Sequence, residues 1–73
     1  MNSNFIEIPC KFFIEIPCKF LYQTEMAVLI EDADGSETWI PKSQIMDFDS
    51  TMEPGTDTEL LVAEWFAEKE GLV

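Results

Sequence analysis

Histidine and arginine are both absent from this chain of 73 residues, and four lysines supply all of its cationic side chains. Without histidine no side chain titrates near neutral pH at its ordinary pKa, and without arginine there is no planar fork to clamp an anion. Acid–base and nucleophilic catalysis therefore have little to work with, and no enzymatic role is expected. Contact with a phosphate backbone needs clustered cations, so direct binding of DNA or RNA is not expected either. Cysteine is scarce too: Cys10 and Cys18 are copies of one position, so an unduplicated parent holds a single thiol and encodes no disulfide framework. No apolar run approaches the ~20 residues that span a bilayer. The start, Met1-Asn2-Ser3-Asn4, lacks the cationic and apolar regions of a signal peptide. The expectation is a cytoplasmic protein with free thiols, no membrane partner and no cofactor.

What the chain does contain is an octapeptide written twice. Residues 5–12 and 13–20 are both Phe-Ile-Glu-Ile-Pro-Cys-Lys-Phe, identical at all eight positions. Such identity marks a tandem duplication of coding DNA, natural or deliberate; repeat architectures of the solenoid type need longer units and more of them. Within each copy the apolar residues alternate with the rest, as in a strand with one buried face. Ile6, Ile8, Cys10 and Phe12 share a face, and Ile14, Ile16, Cys18 and Phe20 continue it, because a shift of eight is even and preserves the alternation. Pro9 and Pro17 cannot donate a ladder hydrogen bond, so each copy suits an edge or a bulge. A single strand over residues 5–20 would run about 50 Å at ~3.3 Å per residue, whereas a compact domain of this length has a radius of gyration near ~11 Å. The chain must bend near Phe12-Phe13, leave one copy unpaired, or lend a copy to a neighbouring molecule.

The rest reads as one small domain over residues 1–73. Glu25 to Glu31 is a strand, Asp32-Ala33-Asp34-Gly35-Ser36 a turn, and Thr38 to Ile40 the return strand, ended by Pro41. Lys42 to Phe48 carries a short further strand, and Asp49 to Asp57, with Pro54 and Gly55, is a loop. Thr58 to Val62 suits a strand and Ala63 to Glu70 a helix stopped by Gly71. Leu61, Trp65, Glu68 and Leu72 at helical spacing would also allow one longer helix from Thr58. Strand then short helix is favoured, because a further strand is needed to cover the hairpin. The fold class is β-rich α+β: a small, strongly bent antiparallel sheet or partial barrel with a short C-terminal helix.

Fifteen acidic residues against the four lysines give a net charge of -11. Each octapeptide is internally neutral, so the acidity lies in residues 21–73. Glu31, Asp32, Asp34 and Glu37 are the densest carboxylates, but Gly35 falls too early for a calcium loop of the EF-hand kind, and an acidic hairpin turn is expected instead. Trp39 is expected to cap the core, and with Lys42 and Trp65 it is also the candidate recognition surface. Trp65 and Phe66 are neighbours on a helix, so one of them must point outward.

Ala27-Val28-Leu29-Ile30, the acidic Gly turn, Trp39-Ile40-Pro41-Lys42-Ser43-Gln44-Ile45, and Glu64-Trp65-Phe66-Ala67-Glu68-Lys69-Glu70-Gly71-Leu72 together resemble short bacterial and phage proteins with no assigned activity. The resemblance covers residues 20–73 and implies a small cytoplasmic β protein with a terminal Trp-bearing helix. Where those proteins carry Pro before the helix, this chain has Ala63.

Two functional expectations follow. In the first, the chain is a non-catalytic β domain whose duplicated strand alters register or drives a strand-exchanged homodimer. Its interface would be built from Ile6, Ile8, Cys10, Phe12, Phe13, Ile14, Ile16, Cys18 and Phe20. In the second, an acidic phage-type protein binds a basic protein partner by imitating nucleic acid.

Overall fold

The computed structural model describes residues 12–73, so the first octapeptide lies outside the description except for Phe12. The strands are β1 (Phe13–Gln23), β2 (Ala27–Glu31), β3 (Glu37–Pro41), β4 (Ile45–Met46) and β5 (Asp57–Ala63), followed by the helix α1 (Glu64–Lys69). They form one antiparallel sheet in the order β3-β2-β1-β5-β4. Among the described residues the second octapeptide is the first part of β1, the central strand.

β1 is long because it serves two partners in succession. Phe13 to Lys19 is in register with Ala63 to Asp57 of β5, and Lys19 to Gln23 with Glu31 to Val28 of β2. The pairing with β2 slips by one residue between Phe20 and Tyr22, which makes Leu21 the extra residue of a β-bulge. A bulge bends its strand and increases local twist, allowing one strand to pass from one pairing direction to another.

β3 and β4 stand at opposite edges of the sheet, yet only the 3₁₀ turn Lys42–Gln44 separates them. Four strand spacings in a flat sheet are about 19 Å, while four residue steps reach about 14 Å at most. The sheet must therefore curl until its edges approach, as the expected bent architecture requires. It does not close into a barrel: β3 and β4 are the ends of the strand order.

Curling encloses one face. Ile16 and Phe20 from β1, Val28 and Ile30 from β2, Ile40 from β3 and Val62 from β5 are all at most 2% exposed. These are alternate residues of their strands, so the pattern of the sequence and the packing agree. Phe48 and Met52 cover the core from the loop before β5, and the Phe48 ring lies 5.8 Å from that of Phe20. α1 contributes Phe66 and Ala67.

The connections follow from local chemistry. Asp32 closes the β2–β3 turn: its Oδ1 accepts hydrogen bonds from the Asp34 and Ser36 N–H groups at 2.9 and 3.0 Å, and Gly35 takes the positive φ of 83°. Ala63 gives α1 no side-chain cap, but the first helical N–H, that of Glu64, donates to the Phe12 carbonyl at 2.7 Å. At the other end Gly71, with φ of 75°, donates to the Glu68 carbonyl at 3.2 Å and Leu72 to that of Ala67 at 2.8 Å. This pair of bonds is a Schellman stop.

Several boundaries differ from expectation. The strand expected from Glu25 starts at Ala27, because Thr24 Oγ1 accepts the Met26 and Ala27 N–H groups and holds a turn there. Met26 is consequently exposed. The strand expected over Lys42 to Phe48 is reduced to Ile45–Met46, preceded by the 3₁₀ turn and ended by Asp47, whose φ is 58°. The tail is strand then short helix, as expected.

Candidate functional site

The slot filled by β1 is the candidate site, because two identical segments compete for it. The bonds at the two ends of its ladder with β5 set which backbone groups face which way. At one end Glu64 N–H donates to Phe12 C=O, and at the other Phe20 N–H donates to Thr56 C=O at 2.8 Å, with Gly55 N–H returning to Phe20 C=O at 2.6 Å. In an antiparallel pair successive residues direct their N–H and C=O groups to opposite sides. Ile14, Ile16 and Cys18 therefore bond towards β5 like Phe12 and Phe20, while Phe13, Glu15 and Pro17 face the other edge. Among the described residues no strand pairs with that edge, since β2 ends at Glu31 opposite Lys19. Pro17 thus sits where the missing N–H costs the sheet nothing, and where a donor would invite a foreign strand.

The same parity holds at β3. Asp32 N–H donates to Ser36 C=O and Lys42 N–H to Met26 C=O, so Ile40 and Thr38 bond to β2 while Glu37, Trp39 and Pro41 face the open side. Pro41, like Pro17, turns its donor-less nitrogen outward. The two longest free stretches of edge among the described residues are each guarded by a proline.

The candidate interface residues divide accordingly. Ile16, Cys18 and Phe20 are core residues of this fold, and Phe13 and Ile14 pack against the core while remaining partly exposed. Phe12 is 66% exposed. Ile6, Ile8 and Cys10 lie outside the described residues. Cys18 is a free, buried thiol. Burial pushes its pKa up from 9.0 to about 11, against a smaller lowering by a hydrogen bond from the Leu60 backbone. Such a thiol is a poor nucleophile at neutral pH.

Trp39, Lys42 and Trp65 do not form one surface. Trp39 is on the outer face of β3 and 47% exposed, so it does not cap the core as expected. The reason is register: Ile40 takes the inward position opposite Val28, leaving Trp39 opposite Leu29 on the other face. There its ring meets that of Tyr22 edge-on, centroids 6.4 Å apart. Lys42 turns away from that face; its Nζ donates to Gln23 Oε1 at 2.7 Å and lies 5.6 Å from the Phe48 ring centroid. Trp65 is 51% exposed and donates from Nε1 to Gln44 Oε1 at 3.1 Å, while Phe66 is buried. One of the two helix aromatics points outward, as expected.

The outward cluster Tyr22–Leu29–Trp39 is a feature the sequence did not disclose. Simple alternation from Phe20 would place Tyr22 inward; the bulge at Leu21 reverses its side. The neighbouring row on the same face is Asp57–Lys19–Glu31–Glu37, one cation among three acids. Beside that row lies an open depression of about 510 Å³, lined by Pro17 to Lys19, Glu31, Asp32 and Asp57 to Glu59. Among the described residues no three carboxylates or thiols gather so as to hold a metal ion, and no helix is long and apolar enough to cross a membrane.

Comparison with protein-family models, curated proteins and solved structures finds no match to this chain.

Proposed function

We propose that this chain is a non-catalytic β domain that associates with a second copy of itself through its duplicated strand. The observation that carries this reading is the identity of β1. The first eight residues of the central strand are residues 13–20, and residues 5–12 repeat them without a single change. One copy is enough for the described fold, and the other repeats its alternation, with Ile6, Ile8, Cys10 and Phe12 at the apolar positions. Pairing with a second chain gives the surplus octapeptide backbone partners, without which it would be an aggregation hazard. Deleting residues 5–12 tests the reading. Light scattering should give twice the 8.4 kDa chain mass for the intact protein and a folded monomer for the shortened one. Equal oligomeric states for the two would sink it.

A second reading draws on the outer face. Tyr22 and Trp39 are half exposed beside a row dominated by Glu31, Glu37 and Asp57, a pairing of aromatic anchors and negative charge that suits a basic protein partner. Capture of a lysine- and arginine-rich protein that weakens on adding salt and on Trp39→Ala would support it; capture unaffected by both would not.

A further inference from the structure

We infer that the spare octapeptide enters the β1 slot of a second copy by exchange, with the chains crossing at the Leu21 bulge, and does not add to a sheet edge. The inference rests on the self-association proposed above and specifies its site. Three observations converge on it.

The first is that the two longest free edges disfavour addition. A strand joining the free side of β1 would have to bond through Phe13, Glu15 and Pro17, and Pro17 has no donor for it. The register that best matches two octapeptides there is antiparallel with apolar faces aligned, Glu7 opposite Lys19 and Lys11 opposite Glu15. That register sets Pro9 opposite Pro17 in a hydrogen-bonded position, so two bonds are lost and two rings are crowded together. It also demands the backbone of Lys19, which already pairs with Glu31. The free side of β3 presents Pro41 in the same way.

The second is that the slot accepts either copy unchanged. Slot positions 13–20 receive residues 5–12 with the same side chain at each place. The residues that bond to β5, Ile14, Ile16, Cys18 and Phe20, become Ile6, Ile8, Cys10 and Phe12. Pro9 falls on the position of Pro17 with its nitrogen outward, where no donor is needed. The Glu64 N–H, now bonded to the Phe12 carbonyl, meets the Asn4 carbonyl instead, which any residue supplies.

The third is the position of the bulge. The one slip in the pairing of β1 with β2 falls at Leu21, the residue directly after the repeat. Exchange needs a break in the strand between the incoming Phe12 and the resident Leu21, and the local irregularity lies there already. When two chains exchange reciprocally, each second octapeptide becomes the linker from the slot of one molecule to Leu21 of its own. Eight extended residues cover about 26 Å, and the two linkers run antiparallel about the twofold axis. Folding the spare copy back within one chain by a tight turn at Phe12-Phe13 is disfavoured. A two-residue turn needs positive φ, and it would set Cys10 opposite Glu15, turning the apolar face outward.

Paired substitutions test this. Ile8→Glu should hold the chain as a folded monomer, because a charged residue cannot enter the core of a second molecule. Ile16→Glu should be a folded dimer, because the introduced carboxylate then lies in the linker and Ile8 fills the slot. Brief maleimide labelling of the native wild type, followed by tryptic cleavage after Lys11 and Lys19, separates Cys10 from Cys18. In the exchanged dimer Cys10 is protected and Cys18 reacts. A dimer in which Cys18 is protected and Cys10 reacts overturns the exchange and leaves self-association through another surface. So does an Ile8→Glu protein that stays dimeric, or an Ile16→Glu protein that unfolds. A wild-type monomer overturns the self-association itself.

Discussion

Cys18 illustrates how far the setting of one residue governs its chemistry. Its thiol lies on the buried face of β1 and is 8% exposed, so water cannot stabilise the thiolate and the pKa rises to about 11. For an acid that is neutral when protonated, a raised folded value means that the folded state holds its proton more tightly than the unfolded chain. The stability this provides is complete below the ordinary value of 9.0 and is lost as the pH climbs towards about 11. In the chain lacking residues 5–12, where Cys18 is the only thiol, we expect Cys18→Ala to be destabilising at about pH 8 and less so at about pH 10.5. Urea unfolding at the two pH values measures this, and an unchanged difference would show that the thiol is not desolvated.

At the scale of the element, the two prolines explain a sheet with free edges that need not aggregate. β1 carries Pro17, and β3 carries Pro41, each with its nitrogen on the open side rather than in the ladder. The same residues elsewhere in these strands would remove bonds the sheet requires. Replacing Pro9 and Pro17 together with Val leaves the β5 ladder intact in either copy but restores a donor at the free edge of β1. We expect the double variant to form assemblies larger than a dimer as concentration rises, read by light scattering. A mass identical to that of the wild type would mean that this edge is protected by something other than the prolines. α1 shows the complementary economy: a helix of six residues with no side-chain cap is held by a strand carbonyl at its start and a glycine stop at its end.

Over the whole molecule, charge opposes what the repeat favours. Each chain carries -11, so two chains brought together repel. Since the exchanged strand makes the same slot contacts as the resident one, the contacts between the two linkers must exceed that repulsion. Screening shortens the range of the repulsion from about 10 Å at ~0.1 M salt to about 3 Å at ~1 M. The dimer should therefore tighten as salt is added, with sedimentation equilibrium showing a lower dissociation constant at about 0.5 M than at about 0.05 M. A dimer weakened by salt would point to an interface built on ion pairs, against an exchange of apolar strands.

By itself the sequence determined the strand character of the second octapeptide, its inward face of Ile16, Cys18 and Phe20, the Asp-Gly turn and the glycine stop after α1. Each depends on residues close together in the chain: alternation, an Asx side chain, a positive φ. Only the tertiary structure decided that β1 turns the corner at Leu21 to serve two partners. It put Tyr22 and Trp39 outside rather than in the core, and cut the strand expected over Lys42 to Phe48 to two residues. A bulge moves every later side chain to the opposite face, and whether a bulge forms depends on where β2 and β5 lie together, β5 being contributed by residues far along the chain. The same is true of the prolines. The sequence assigned them to an edge or a bulge, but which edge they guard follows from the side to which β5 bonds, and that is settled when the sheet is assembled.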